Sequence, residues 1–210
     1  MSRIGQVGEF VGELMKRTPW GEILLKPLID DIATVAPEFV LFLQNGGRVI
    51  VQQRVFRLWR TVVLGRHHTP EAYLASIRTR GRKISPWAKG MATRVVCSQE
   101  QVDLPLVDVL DRDLGFTKVY TPREFYVQAA TFGLYPCPAE AGLALADQLD
   151  DQSVGDSRRI AMEAIATSVI DLDIFCLGHE EFGSLLRTVP GHPETRVNPG
   201  NRWVLTTRKP

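Results

Sequence analysis

The residues in this sequence best equipped for chemistry are cations. Between positions 66 and 94 stand Arg66, Arg78, Arg80, Arg82, Lys83, Lys89 and Arg94, against a single acid, Glu71. Arg80, Arg82, Lys83 and Lys89 crowd the turn around Gly81 and the start of the segment that follows, where Trp87 also lies. Such a cluster attracts phosphates, because each cation that neutralises one releases a condensed counterion. The expected nucleic-acid contacts are Arg78, Arg80, Arg82, Lys83, Lys89 and Arg94. The competing reading is a solvated turn, or an internal partner for acids further along. Over 111–150 the acids Asp111, Asp113, Glu124, Glu140, Asp147 and Asp150 outnumber Arg112, Lys118 and Arg123.

Other reactive side chains form looser patterns. Cys176, His179 and His192 have spacing that zinc could use, with Glu180 and Glu181 between them, but a zinc site needs a fourth ligand or water. Cys176 also sits in an apolar run, where an inert buried thiol is usual. His67 and His68 are adjacent, so in an extended chain they point to opposite faces and cannot share a metal as alternating histidines do. Cys137 lies between Pro136 and Pro138 at a helix start, a setting that can lower a thiol pKa, but no histidine with asparagine or aspartate stands beside it. No glycine-rich nucleotide loop, HExxH or GxSxG motif is present. No catalytic residue and no cofactor is expected, and an enzyme is the less favoured reading.

Elements must position the cations, and here the sequence repeats itself. Thr69–Ala92 aligns without a gap on Thr121–Ala144, with identities at Thr69/Thr121, Pro70/Pro122, Thr79/Thr131, Gly81/Gly133, Pro86/Pro138, Gly90/Gly142 and Ala92/Ala144. Most of these are helix punctuation. Thr-Pro suits an N-cap followed by the first helical residue, Thr121 with Glu124 forms a capping box, and Gly81 and Gly133 suit left-handed helix ends. The pattern predicts two tandem helical hairpins, over 66–94 and 117–149, the first basic and helix-turn-helix-like.

Around them, residues 1–47 carry apolar residues at helical spacing and predict an N-terminal helical segment. Arg48–Val51 and Val55–Leu64 are β-branched and aromatic and predict strand. Turn signals over 158–208 separate strands at Arg159–Ile165, Asp173–Leu177, Ser184–Arg187 and Arg202–Arg208, which predicts an antiparallel meander. The fold class expected is α+β, with residues 48–210 forming one domain after the 1–47 segment. The expected core is Val62, Leu64, Leu74, Ile77, Leu114, Phe125, Ala129, Leu134, Ile160, Met162, Ile165, Ile174, Phe175, Trp203 and Leu205.

The 210 residues carry a formal net charge of +1, which argues against a uniformly basic binder and leaves local patches as the place to look. Three widely spaced cysteines, an odd number with no CxxC pair, argue against a disulfide framework. No secretory leader and no apolar run of spanning length is visible, so a cytoplasmic protein without a membrane partner is expected. Residues 59–210 resemble an uncharacterised family of bacterial hypothetical proteins. The resemblance rests on Trp59–Val62 with Leu64-Gly65, on Gly133–Glu140, on Ile160–Ile165, on Ile174-Phe175 and on the closing strand Arg202–Arg208. It implies no activity. Three functions are carried forward. The first is a non-enzymatic binding protein that contacts nucleic acid through the basic segment. The second is a protein-interaction or ligand-display module built on the C-terminal sheet and its 189–201 loop. The third is a metal-dependent hydrolase.

Overall fold

The computed structural model describes residues 56–209, which fall within the unit Arg54–Pro210. The helices expected over 1–47 and the strand at Arg48–Val51 lie outside the described residues. The order of elements is β1 (Arg60–Leu64), α1 (Pro70–Thr79), β2 (Lys83–Ile84), α2 (Pro86–Ala92), β3 (Val102–Leu110), a 3-10 turn (Asp111–Leu114), α3 (Pro122–Thr131), α4 (Glu140–Gln148), β4 (Ser157–Ile160), β5 (Ile165–Ala166), β6 (Leu172–Glu180), β7 (Gly183–Pro190) and β8 (Arg202–Thr206).

All eight strands belong to one mixed sheet in the order β1-β3-β8-β4-β6-β7-β2, with β5 paired to β6. Neighbours run antiparallel except β4 with β8 and β2 with β7. This overturns the expected fold class of two helical hairpins followed by a meander. Two physical reasons account for it. Lys83 and Ile84, read as a turn between helices, pair with Leu185 and Leu186 and become the edge strand of the sheet. In the second half, Tyr135 bridges to Thr206 and Cys137 to Met162, so the chain between α3 and α4 is tied to the sheet and does not form a hairpin turn. The meander fails at its end. The loop 191–201 is long enough to carry the chain past β6 and β4, and β8 enters between β3 and β4, parallel to β4.

The local signals behind the first three helices hold, whereas the start expected at Cys137-Pro138 does not, since α4 begins at Glu140 after Ala139 with no side-chain cap and Cys137 bridges to the sheet. Thr69 accepts from Ala72 N, Ser85 from Ala88 N, and Thr121 with Glu124 makes both halves of a capping box. Gly81 and Gly133 take the positive φ that ends each first helix. The expected core is buried throughout except Ile165, which is half-buried. The packing, however, crosses the apparent repeat. α1 lies against α4 of the other copy, and α4 is buried at every residue from Glu140 to Asp147.

Candidate nucleic-acid interface

The six expected contacts divide into two groups. Arg82 is only 5 % exposed. Its Nε donates to Ala146 O at 3.0 Å, one Nη to Leu149 O at 2.9 Å and the other to Gln152 Oε1 at 3.2 Å. It therefore closes the carbonyl end of α4, where a cation also meets the negative end of the helix dipole. Burial lowers its pKa. Arg80 is turned the same way, with Nε 3.3 Å from Asp147 and Nη1 3.4 Å from Asp150. Arg78, Lys83, Lys89 and Arg94 form the other group. All four are exposed, and no carboxylate pairs with any of them among the described residues. The Lys83 ammonium stands 5.9 Å from the ring centroid of Phe182.

Asp147 explains why the first group turns inward. Its side chain is fully buried, and a buried carboxylate is costly unless paired and hydrogen-bonded. Ser76 Oγ donates to Oδ1 at 2.5 Å, while Arg66 Nη1 and His67 Nε2 lie 3.7 and 3.5 Å from Oδ2. Two turns earlier on α4, Glu140 accepts from Gly65 N at 2.7 Å, Tyr73 Oη at 2.9 Å, Ser98 N at 2.8 Å and Ser98 Oγ at 2.7 Å. Gln148 completes the row, donating to Val63 O and accepting from Val63 N at 2.9 Å each. The acidic helix is thus docked on β1, α1 and the loop between them through its polar side chains. Burial and then the Glu140 carboxylate push the Tyr73 hydroxyl well above the usual phenol range. The Cys97 thiol rises to about 11 from the same causes in the same order.

Two exposed aromatics belong to this region. Trp87 is 64 % and Phe182 81 % exposed. α2 buries Ala88, Met91 and Ala92, and Trp87 lies off that stripe. Phe182 sits in the β6–β7 turn, and its only signal was an aromatic between Glu-Glu and Gly.

The metal candidates do not converge. Cys176 and His179 stand three apart on β6, so their side chains leave opposite faces of the sheet. Cys176 Sγ lies 3.2 Å from Ser157 Oγ, His179 Nδ1 meets Gln152 O, and His192 Nδ1 accepts from Glu194 N. Among the described residues no three His, Cys, Asp or Glu side chains gather as a metal site. Cys137 is buried against Val204 O, and burial pushes its thiol up to about 12, the opposite of an activated nucleophile. Among the described residues no helix is long and apolar enough to cross a membrane.

Comparison with family models, curated proteins and solved structures gives no match, and nothing in it bears on the family resemblance of residues 59–210.

Proposed function

We propose that this protein binds single-stranded nucleic acid through the segment from Arg78 to Arg94. One observation carries the reading: Arg78, Lys83, Lys89 and Arg94 remain exposed with no carboxylate partner among the described residues, while the buried Asp147 is engaged by Arg66 and Arg80. The exposed rings of Trp87 and Phe182 add the second ingredient of single-strand binding, since bases stack on aromatic faces whatever their sequence. Groove reading of a duplex is not part of the reading, because β2 replaces the turn that would have presented a second helix.

Fluorescence anisotropy with labelled single strands tests it. Four phosphate contacts give a slope of log K against log salt of about −3, or about fifty-fold weaker binding between about 50 and 200 mM salt. Trp87→Ala lowers affinity by about 1–3 kcal/mol and leaves the slope unchanged. Absent or salt-independent binding refutes the proposal.

A further inference from the structure

We infer that a second site, built from other residues, lies where Arg159 and the loop 195–201 form a pocket for a small oxyanion, a phosphate or carboxylate group. Strand pairing places the arginine. Val109, Trp203, Arg159, Cys176 and Arg187 stand opposite one another across β3, β8, β4, β6 and β7, and opposed residues share a face of the sheet. α3 covers the Trp203 end of the row, with Phe125 stacked 4.5 Å from the indole. Arg159 is half-buried beside it, its guanidinium carbon 5.5 Å from the Trp203 ring centroid and its Nε donating to Asn201 Oδ1 at 3.0 Å. No carboxylate pairs with it among the described residues.

The cavity there measures about 390 Å³, and Arg159, Thr195, Arg196, Asn198, Gly200 and Asn201 are among the residues that line it. Its lining contains two arginines and no acid. The walls are held from beneath. Fully buried Asp111 accepts from Gly200 N at 2.8 Å, Asn201 N at 2.9 Å and Tyr120 Oη at 2.8 Å, and Tyr120 Oη accepts from Trp203 Nε1 at 2.9 Å. Tyr120 and Val197 exchange both backbone hydrogen bonds. The Asp111 carboxylate is therefore spent on fixing the loop, Glu194 beside it is paired with Arg123, and Arg159 is left with its terminal nitrogens free among the described residues. A preformed cavity saves the entropy of ordering a loop on binding, and a guanidinium offers an oxyanion two parallel donors. Volume limits the ligand to a small molecule or the tip of a larger one.

The test uses the full chain labelled with nitrogen-15, titrated separately with inorganic phosphate, succinate and an uncharged polyol. Saturable amide shifts centred on Thr195–Asn201 are expected with phosphate, succinate or both. Binding of phosphate alone assigns phosphate esters, of succinate alone carboxylates, and of both a general oxyanion site. Arg159→Gln is expected to weaken binding at least about tenfold, the loss of one charge-assisted pair of hydrogen bonds. Arg196→Ala, at an exposed side chain, weakens it severalfold and decides the matter should Arg159→Gln fail to fold. Lys83→Ala/Lys89→Ala leaves it unchanged, which separates this site from the nucleic-acid surface. Shifts scattered elsewhere, no response to either anion, or full affinity in Arg196→Ala overturns the inference.

Discussion

Gly90 in α2 and Gly142 in α4 occupy matched places in the apparent duplication, yet the same substitution is expected to act on them with opposite signs. Replacing a mid-helix glycine by alanine removes freedom from the unfolded chain and favours the helix by about 0.5–1 kcal/mol when nothing opposes the methyl. At Gly90 nothing lies within 4 Å of the new Cβ, and the residue is exposed. Gly90→Ala is expected to gain that amount. At Gly142 the Cβ would stand 2.6 Å from Cδ2 of Phe175 and 2.9 Å from its Cβ and Cγ. Phe175 is wholly buried in β6, and the close atoms include the root of its side chain, which cannot swing aside. Either α4 lifts or β6 shifts, and over-packing of this kind costs about 1–3 kcal/mol. Set against the helical gain, Gly142→Ala is expected to lose about 1–2 kcal/mol net. Urea unfolding of both variants beside the parent, followed by circular dichroism, reads the two signs. A Gly142→Ala protein as stable as the parent would refute the close seating of α4 on β6.

Glu140→Gln turns an amide nitrogen toward donors on Gly65, Tyr73 or Ser98, and is expected to cost about 3–5 kcal/mol, read as a lowered thermal midpoint. Arg82→Met strands the carbonyls of Ala146 and Leu149 and is expected to cost about 2–4 kcal/mol in urea unfolding, with nucleic-acid affinity unchanged. Alkaline pH gives a signed test. Burial raises the folded pKa of Cys137 from 9.0 to about 12 and, with help from Glu140, that of Cys97 from 9.0 to about 11. The folded state then holds protons that the unfolded state gives up. Their contribution is intact below about pH 9 and lost as pH climbs toward 11 and 12. Urea midpoints between pH 8 and 11 should fall, and fall less in Cys137→Ala; a flat profile in the parent contradicts the burial of these thiols.

What could be read from the sequence is what involves residues a few positions apart. The caps at Thr69, Ser85 and Thr121 are contacts over three residues, and composition alone reveals them. The buried set follows from apolar periodicity, because burial needs only the residue's type and its face. Pairing was another matter. Lys83-Ile84 is too short to carry a strand pattern, and its partner lies on a strand a hundred residues further on. Arg82, between Arg80 and Lys83, resembles any solvated cation; its burial is decided by carbonyls at the end of α4. Arg159 was equally hidden. Beside Arg158 it reads as a polar strand residue, and only the pairing of β4 with β8 shows that the first arginine meets Asp108 while the second meets Trp203 and a cavity.

The charge contrast between the two halves has a folding cause before it has a functional one. A helix buried along its whole length is ordinarily apolar all round, yet α4 takes Glu140, Asp147 and Gln148 into its packing. Each needs a counterpart on whatever covers the helix, and β1, α1 and the residues that flank them supply these: the backbone of Val63 and Gly65, Tyr73, Ser76, and the cations Arg66 and Arg80. Arg82 answers the carbonyl end of the same helix. Part of the positive charge in 66–94 is therefore committed to α4, and removing it costs stability. The remainder is of a different kind. Lys83 and Lys89 are strongly hydrated point charges on exposed stems, and with Arg78 and Arg94 they meet no acid among the described residues. On the proposed function, their removal should leave the fold untouched, weaken nucleic-acid binding and flatten its dependence on salt. Equal formal charges thus divide between those turned onto α4, which hold the protein together, and those left exposed on α1, β2, α2 and the turn that follows α2, which the proposed binding would use.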